Sequence, residues 1–328
     1  MEFASDRYKK MIYRRSGRSG LHLPAISLGA YETFGTYISL EETRKCLFRA
    51  FDLGITHFDL ANNYGNPPGN AETLVGKVIK DMPRDELVIS TKAGWKMWEG
   101  PYGEWLSKKY LVASLDQSLK RLGLEYVDIY YAHRPDPITP LEETMAALDL
   151  IVRQGKALYI GVSSFSGAHF ERAFNVASSA GYAPILLHQP AYNMLHREIE
   201  WDLLDHTESR GTGVIVFAPL AQGRLTDRYL RGIPKDSRAY NVWGKKEEEN
   251  IFLPDIKSKV VALNEIAKRR GQTLAQMAIA WTLRLPQITS CLIGASRIEQ
   301  IEENVKALDQ LSFSEEEIKE IDKITLSQ

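Results

Sequence analysis

The chain has 328 residues, 44% of them hydrophobic and 25% charged, with a formal net charge of −1. That is the composition of a globular protein able to bury a full core without a disulfide or metal, and near-neutrality excludes a broad basic face for nucleic acid. Cys46 and Cys291 lie far apart with no metal-ligand spacing, Met1–Arg15 lacks the apolar run of a signal peptide, and no stretch approaches the ~18 apolar residues of a membrane span. A reduced, cytoplasmic protein with no membrane or nucleic-acid partner is expected.

A short hairpin is expected first, with Met11–Arg15 and Leu21–Leu23 flanking the turn-rich Ser16-Gly17-Arg18-Ser19-Gly20. Short apolar runs then alternate with amphipathic segments. The runs predict strands at Ala25–Leu28, Thr56–Asp59, Leu87–Lys92, Asp128–His133, Ala157–Val162, Ile185–Gln189, Gly213–Phe217 and Ser290–Ile293. Helical periodicity falls near 41–53, 71–80, 108–122, 140–153, 168–180, 198–210, 257–284 and 298–308. Eight strand–helix units favour closure into an α/β (β/α)₈ TIM barrel. No Gly-x-Gly-x-x-Gly follows the first strand, which weighs against an open dinucleotide-binding sheet. No linker divides the chain, so one domain over 1–328 is expected, with a long loop at about 225–254. A C-terminal extension carries an acidic helix, Ser314–Ile324.

In such barrels reactive groups project from the C-terminal ends of strands. Asp59, Tyr64, Lys92 and His133 fall at or just beyond three successive strand ends. Singly each has an ordinary reading: a loop-capping Asp, a packing Tyr, a structural ion-paired Lys, a satisfied loop His. Together they suit hydride reduction of a carbonyl, which needs a proton for the developing alkoxide. A free tyrosine, with a pKa near ~10, is a poor donor at neutrality, and a neighbouring cation lowers that value. Lys92 supplies the cation, Asp59 holds Lys92 charged, and His133 polarises or orients the carbonyl oxygen.

These residues lie in Phe58-Asp59-Leu60-Ala61-Asn62-Asn63-Tyr64-Gly65, Thr91-Lys92 and His133-Arg134-Pro135-Asp136. With Gly161-Val162-Ser163, Gln189-Pro190, Ala218-Pro219-Leu220 and Gly294-Ala295-Ser296-Arg297 through Glu303-Asn304, they make the chain resemble the aldo-keto reductase superfamily from about residue 11 to 325. Within it the chain is similar to the branch of bacterial L-glyceraldehyde 3-phosphate reductases. Thr56–Gly65, Leu119–Asp128 and Leu225–Leu230 carry that likeness. The same branch includes the beta subunits of voltage-gated potassium channels, which carry Asn where this chain has His133.

The resemblance implies Asp59, Tyr64, Lys92 and His133 as a catalytic tetrad, and NADPH/NADP+ bound across the barrel mouth. It implies that Ser163 and Gln189 hold the nicotinamide amide, with Ser164 where relatives often carry Asn. Phe217 stacks on the ring, beside Ala30, Tyr31 and Asp59. Ala218, Pro219, Leu220, Ala221, Gln222 and Gly223 meet the pyrophosphate. Gly294, Ser296 and Arg297 open the last helix, whose N-terminal amides favour a 2′-phosphate. Gln300, Glu303 and Asn304, at i+4, i+7 and i+8 from Ser296, share a face suited to adenine and ribose. Arg228 and Arg238 clamp the cofactor or are merely solvated.

Tyr31, Tyr64, Trp95, Trp98, His133 and Arg134 are the substrate-side candidates, the two tryptophans having loop packing as the alternative. Arg134 either binds an anionic substrate group or pairs with Asp136 or another acid. The expected substrate is a small carbonyl, with glyceraldehyde 3-phosphate and methylglyoxal-like aldehydes among the choices. A homo-oligomer, tetramer or octamer, is the expected assembly. The alternative function is an NADP-sensing channel-type regulatory subunit with little turnover. A metal-dependent barrel enzyme lacks a His/carboxylate cluster at the strand ends, and Lys92 as a Schiff-base lysine stays conceivable.

Overall fold

A computed structural model describes residues 3–230 and 254–326. At its centre eight parallel strands close into a barrel. They are β1 (Ile26–Gly29), β2 (His57–Asp59), β3 (Val88–Ala93), β4 (Val127–Ala132), β5 (Ala157–Ser163), β6 (Ile185–Gln189), β7 (Gly213–Val216) and β8 (Ile288–Gly294). Closure is direct: β8 pairs with β1, Cys291 opposite Ile26 and Gly294 opposite Gly29. This is the (β/α)₈ barrel expected from the alternating pattern.

The N-terminal hairpin pairs Tyr13–Arg15 with His22–Pro24, Tyr13 opposite Pro24. Its Leu23 joins Ile129, Tyr131, Leu187, Ile215 and Leu292 in one buried cluster. Arg18 N donates to Gly211 O at 2.9 Å, just before β7 begins. The hairpin therefore stoppers the N-terminal end of the barrel, and the polar chemistry is left to the opposite end. Inside, Gly161 of β5 makes room for the Tyr131 ring. A Cβ there would lie 2.4 Å from Tyr131 Cε1 and 2.9 Å from Leu187 O.

The outer helices bury one stripe each. Lys108–Leu122 buries Tyr110, Leu111, Ser114, Leu115, Ser118, Leu119 and Leu122, the spacing of a single helical face. Ser107 caps it by accepting from Tyr110 N. Two expected helices prove to be pairs. The pattern over 257–284 is broken into Pro254–Arg269 and Leu274–Thr282. Thr273 starts the second of these with a capping box to Gln276. The pattern over 198–210 divides into Ile199–Asp202 and Leu204–Arg210, interrupted at Leu203. Continuous apolar periodicity concealed both breaks. The expected helix at 298–308 is Ile298–Val305 followed by a 3₁₀ turn, Lys306–Asp309.

The C-terminal extension forms Glu315–Thr325. Arg197 anchors it, donating to Asp322 Oδ1 at 2.6 Å and Thr325 Oγ1 at 3.0 Å. Cys46 and Cys291 are both buried and free. Among the described residues no helix is long and apolar enough to cross a membrane, and no group of side chains is arranged to hold a metal.

Candidate active site

Side chains two apart on a strand share a side. On β2 this pairs His57 with Asp59, and on β3 Ser90 with Lys92. All are buried, Lys92 at 0% exposure and Asp59 at 3%. Lys92 Nζ donates to Asp59 Oδ2 at 2.5 Å and to Leu60 O at 2.7 Å. The other carboxylate oxygen, Oδ1, accepts from Ser90 Oγ at 2.6 Å and Gln189 Nε2 at 3.1 Å. A buried ion pair is tolerated when its remaining lone pairs and protons are bonded in this way.

Tyr64 sits in the loop after β2. Its N–H donates to Ala61 O at 3.1 Å, and its carbonyl accepts from Gly69 N at 3.1 Å and Ala71 N at 3.2 Å. The next residue, Gly65, has φ +95° and passes so close to the following helix that a Cβ would lie 2.5 Å from Ala71 N. Only glycine fits there. The loop thus fixes the Tyr64 phenol with its oxygen 3.5 Å from Lys92 Nζ. Its ring meets Tyr31 at 5.0 Å and His133 at 5.8 Å, both edge-on.

Electrostatics correct one expectation. Burial, with Asp59 and Tyr31 adding to it, pushes the Tyr64 phenol well above its ordinary pKa, where Lys92 was expected to lower it. Desolvation of the phenolate is the largest cause. Tyr64 is a loaded phenol. Burial lowers the Lys92 pKa, while Asp59 supports its charge. Burial, Lys92 and Arg134 together drive His133 well below the ordinary histidine range, so its imidazole is neutral. Its Nδ1 is buried without a partner. An orphan buried N–H is rarer than an orphan acceptor, which leaves the proton on Nε2.

The other expected residues gather at the same end. Ala30 N donates to Asp59 O at 2.9 Å, and Tyr31 is 51% exposed beside Tyr64. Ser163, the last residue of β5, donates to Gln189 O at 2.8 Å, which leaves its oxygen as an acceptor. Ser164 is exposed with φ +59°, a backbone that Asn adopts more readily than Ser. Phe217 follows β7, half-buried, and donates its N–H to Pro190 O at 3.0 Å. The turn after it holds Ala218, Ala221 and Gln222 at φ +54°, +47° and +60°. Pro219 is buried and Leu220 half-buried within it, and Gly223 N closes onto Leu220 O at 2.8 Å. Strained non-glycine backbone of this kind concentrates at functional sites.

Arg297 is exposed at the N-cap of the helix Ile298–Val305, three residues beyond the exposed end of β8 at Gly294 and next to the half-buried Ser296. Gln300 Oε1 accepts from Ser296 N at 2.9 Å and Ser296 Oγ at 3.3 Å. Glu303 turns to Gln276 at 2.8 Å, and Asn304 is buried. Arg228 lies in the single turn Asp227–Tyr229. Arg238, with residues 231–253, lies outside the described residues.

On the substrate side, Trp95 is 42% exposed with its ring 6.2 Å from His133. Trp98 packs on Tyr110 at 5.2 Å, the loop-packing alternative. The Arg134 guanidinium lies between Trp95 at 3.7 Å and Trp105 at 3.9 Å. It donates to Gly94 O at 3.1 Å and pairs with Glu104. Asp136 is engaged elsewhere, accepting from Leu106 N, Ile138 N and Thr139 N.

Sequence reasoning passed over several of these residues. Glu104 and Trp105 sit in a loop far from any strand end, though Trp105 is held at φ +72°. Arg224, just after the β7 turn, has its Nε buried without a partner. Ser90 and His57 could have been found by stepping back two places from Lys92 and Asp59.

A model of the Aldo/keto reductase family matches residues 25–326. The L-glyceraldehyde 3-phosphate reductase of Escherichia coli K12 is 52% identical over 315 residues, covering 94% of this chain and 91% of the relative. A protein of Schizosaccharomyces pombe named as a voltage-gated potassium channel subunit beta is 41% identical over 312 residues, covering 92% of the chain and 89% of the relative. One of Arabidopsis thaliana with the same kind of name is 39% identical over 303 residues, covering 91% and 92%.

Proposed function

The chain belongs to the aldo/keto reductase family, and from that premise we propose that it reduces small aldehydes, glyceraldehyde 3-phosphate among them, with NADPH and with Tyr64 as proton donor. It is an oxidoreductase with a nicotinamide cofactor. The observation that carries the proposal is the line Asp59–Lys92–Tyr64, a buried ion pair reaching a partly buried phenol, joined at 2.5 Å and 3.5 Å, beside a neutral His133.

The residues at the mouth suit the cofactor. Gln189 is fixed by Asp59, and Ser163 retains an acceptor oxygen for a carboxamide N–H. Arg224, whose Nε is buried without a partner, follows the Ala218–Gly223 turn, where a pyrophosphate would meet backbone amides. Ser296 and Arg297, at the start of an eight-residue helix, suit a further phosphate. That further phosphate is what distinguishes NADPH from NADH. When bound, the cofactor supplies the hydride.

The protein's part is the proton. Tyr64, kept protonated by burial, donates from Oη to the carbonyl oxygen as negative charge develops there. The phenolate left behind is stabilised by Lys92, whose charge Asp59 maintains. His133 donates from Nε2 to the same oxygen. Trp95 and Tyr31 form apolar walls beside it.

His133 favours turnover over the channel-type regulatory alternative, in which the position carries Asn. Arg134, already paired with Glu104, is proposed as part of the wall rather than as the phosphate ligand. A cytoplasmic homo-oligomer completes the proposal. The test is a panel of glyceraldehyde 3-phosphate, glyceraldehyde, methylglyoxal and an aryl aldehyde, with NADPH and NADH side by side. NADPH oxidation exceeding NADH oxidation is expected. Tight nucleotide binding with no turnover of any aldehyde contradicts the proposal.

A further inference from the structure

Beneath Asp59 a line of hydrogen bonds runs down the barrel interior to the hairpin. Ser290 Oγ donates to Pro24 O at 2.6 Å, and Ser27 Oγ meets Ser290 Oγ at 2.6 Å. His57 Nδ1 meets Ser27 Oγ at 2.9 Å, and its Nε2 meets Ser90 Oγ at 2.9 Å. Ser90 Oγ then reaches Asp59 Oδ1 at 2.6 Å. Every member is buried. We propose that His57 is a positioning residue for the reduction, held as its Nε2–H tautomer, and that through Ser90 it keeps Asp59 aimed at Lys92.

The line holds fewer protons than contacts. Both ends of the line, the Pro24 carbonyl and the ionised Asp59, only accept. Between them four side chains make five contacts. Three hydroxyls and a neutral imidazole hold one proton each, four in all, so one contact lacks a proton. The charged groups near His57 are Asp59 on its own strand and Lys92 on β3. The hydroxyls facing it come from Ser27 on β1 and Ser90 on β3. Burial and Lys92 keep the imidazole neutral against the pull of Asp59, with a pKa down to about 4.

A hydrogen bond to a carboxylate is roughly twice as strong as one between neutral groups. Ser90 therefore spends its proton on Asp59. Its oxygen can then only accept: Nε2–H on His57 fills that contact, whereas Nδ1–H would set a bare ring nitrogen against it beside the carboxylate. The missing proton falls at a contact of Ser27, on the far side of the imidazole from Asp59 and among neutral groups. With Ser90 and Gln189 both donating to Oδ1 of Asp59, Oδ2 is left to Lys92. Without the imidazole, Ser90 can turn away, Asp59 is held less firmly, and Lys92 is less well placed beside Tyr64.

His57 has this role only if the chain is the reductase proposed above, so the test pairs a structural readout with a kinetic one. In protein labelled with ¹⁵N-histidine, the resonances that vanish in His57→Gln report the tautomer whether or not any aldehyde is turned over. Nε2–H is expected, and Nδ1–H overturns the proposal. In kinetics, His57→Phe should lower kcat by about three- to tenfold, the worth of one hydrogen bond, with KM unchanged. Its alkaline pH limb should also shift. His57→Gln, which keeps a donor near the Nε2 position, should restore most of the rate. His57→Phe should cost nothing further in a Ser90→Ala background. Wild-type kcat and pH profile in His57→Phe, or full multiplication of the two effects, overturns the proposal. Failure of the wild type to reduce any aldehyde, with the Nε2–H tautomer present, removes the reductase reading instead.

Discussion

Lys92 Nζ stands 3.5 Å from the Tyr64 hydroxyl while donating to Asp59 at 2.5 Å. The lysine is thus held first by the carboxylate and only loosely by the phenol. That asymmetry suits a group needed when the phenol gives up its proton, because the shorter bond fixes the charge in place beforehand.

Removing one member of this buried pair strands the other. Lys92→Met should destabilise the fold by about 3–5 kcal/mol, the usual cost of an uncompensated buried charge. Adding Asp59→Asn should recover part of that loss. Chemical denaturation of the two variants checks this, and a double variant less stable than Lys92→Met contradicts it.

The pH profile should separate the groups. Burial lowers Lys92 from 10.5 and raises Tyr64 from 10.0. The alkaline limb of kcat/KM for reduction should therefore track loss of the Lys92 charge, below its ordinary value. His133, depressed well below 6.5, should add no acid limb near that pH. A limb near 6.5 that disappears in His133→Asn contradicts the neutral assignment.

Stability should also depend on pH through two buried histidines. His57 is pushed down from 6.5 to about 4 and His188 to about 3. Between those values and 6.5 the unfolded chain binds the extra protons. Stability is then complete above about 6.5 and is lost as pH falls toward 4, by roughly 3 kcal/mol for His57. Denaturation midpoints at neutral and acid pH should fall less steeply in His57→Gln than in the wild type.

Arg134 lies between two indoles and is paired with Glu104. Arg134→Leu should therefore raise KM by a similar factor for glyceraldehyde and for glyceraldehyde 3-phosphate. A rise confined to the phosphorylated substrate would identify Arg134 as the phosphate ligand.

The sequence was most legible where strands end. Asp59, Lys92 and His133 each close an apolar run, so their place at the barrel mouth followed from the pattern alone. Tyr64 followed from its place in the short loop directly after the second strand end. The direction of the Tyr64 pKa was not legible, because it depends on how deeply the phenol is buried. Barrel strands buried on both faces conceal which residues point inward, and so the line through Ser27, His57 and Ser90 stayed hidden. Glu104 reaches Arg134 across thirty residues of chain, a pairing that no local pattern records.

The most direct test is Tyr64→Phe, with cofactor binding and hydride transfer measured separately. Nicotinamide fluorescence should show NADPH bound about as tightly as by the wild type. Single-turnover reduction of glyceraldehyde 3-phosphate should slow by at least about 10²-fold, the contribution of a positioned general acid. A variant that binds NADPH and reduces the aldehyde at the wild-type rate would show that the proton comes from elsewhere.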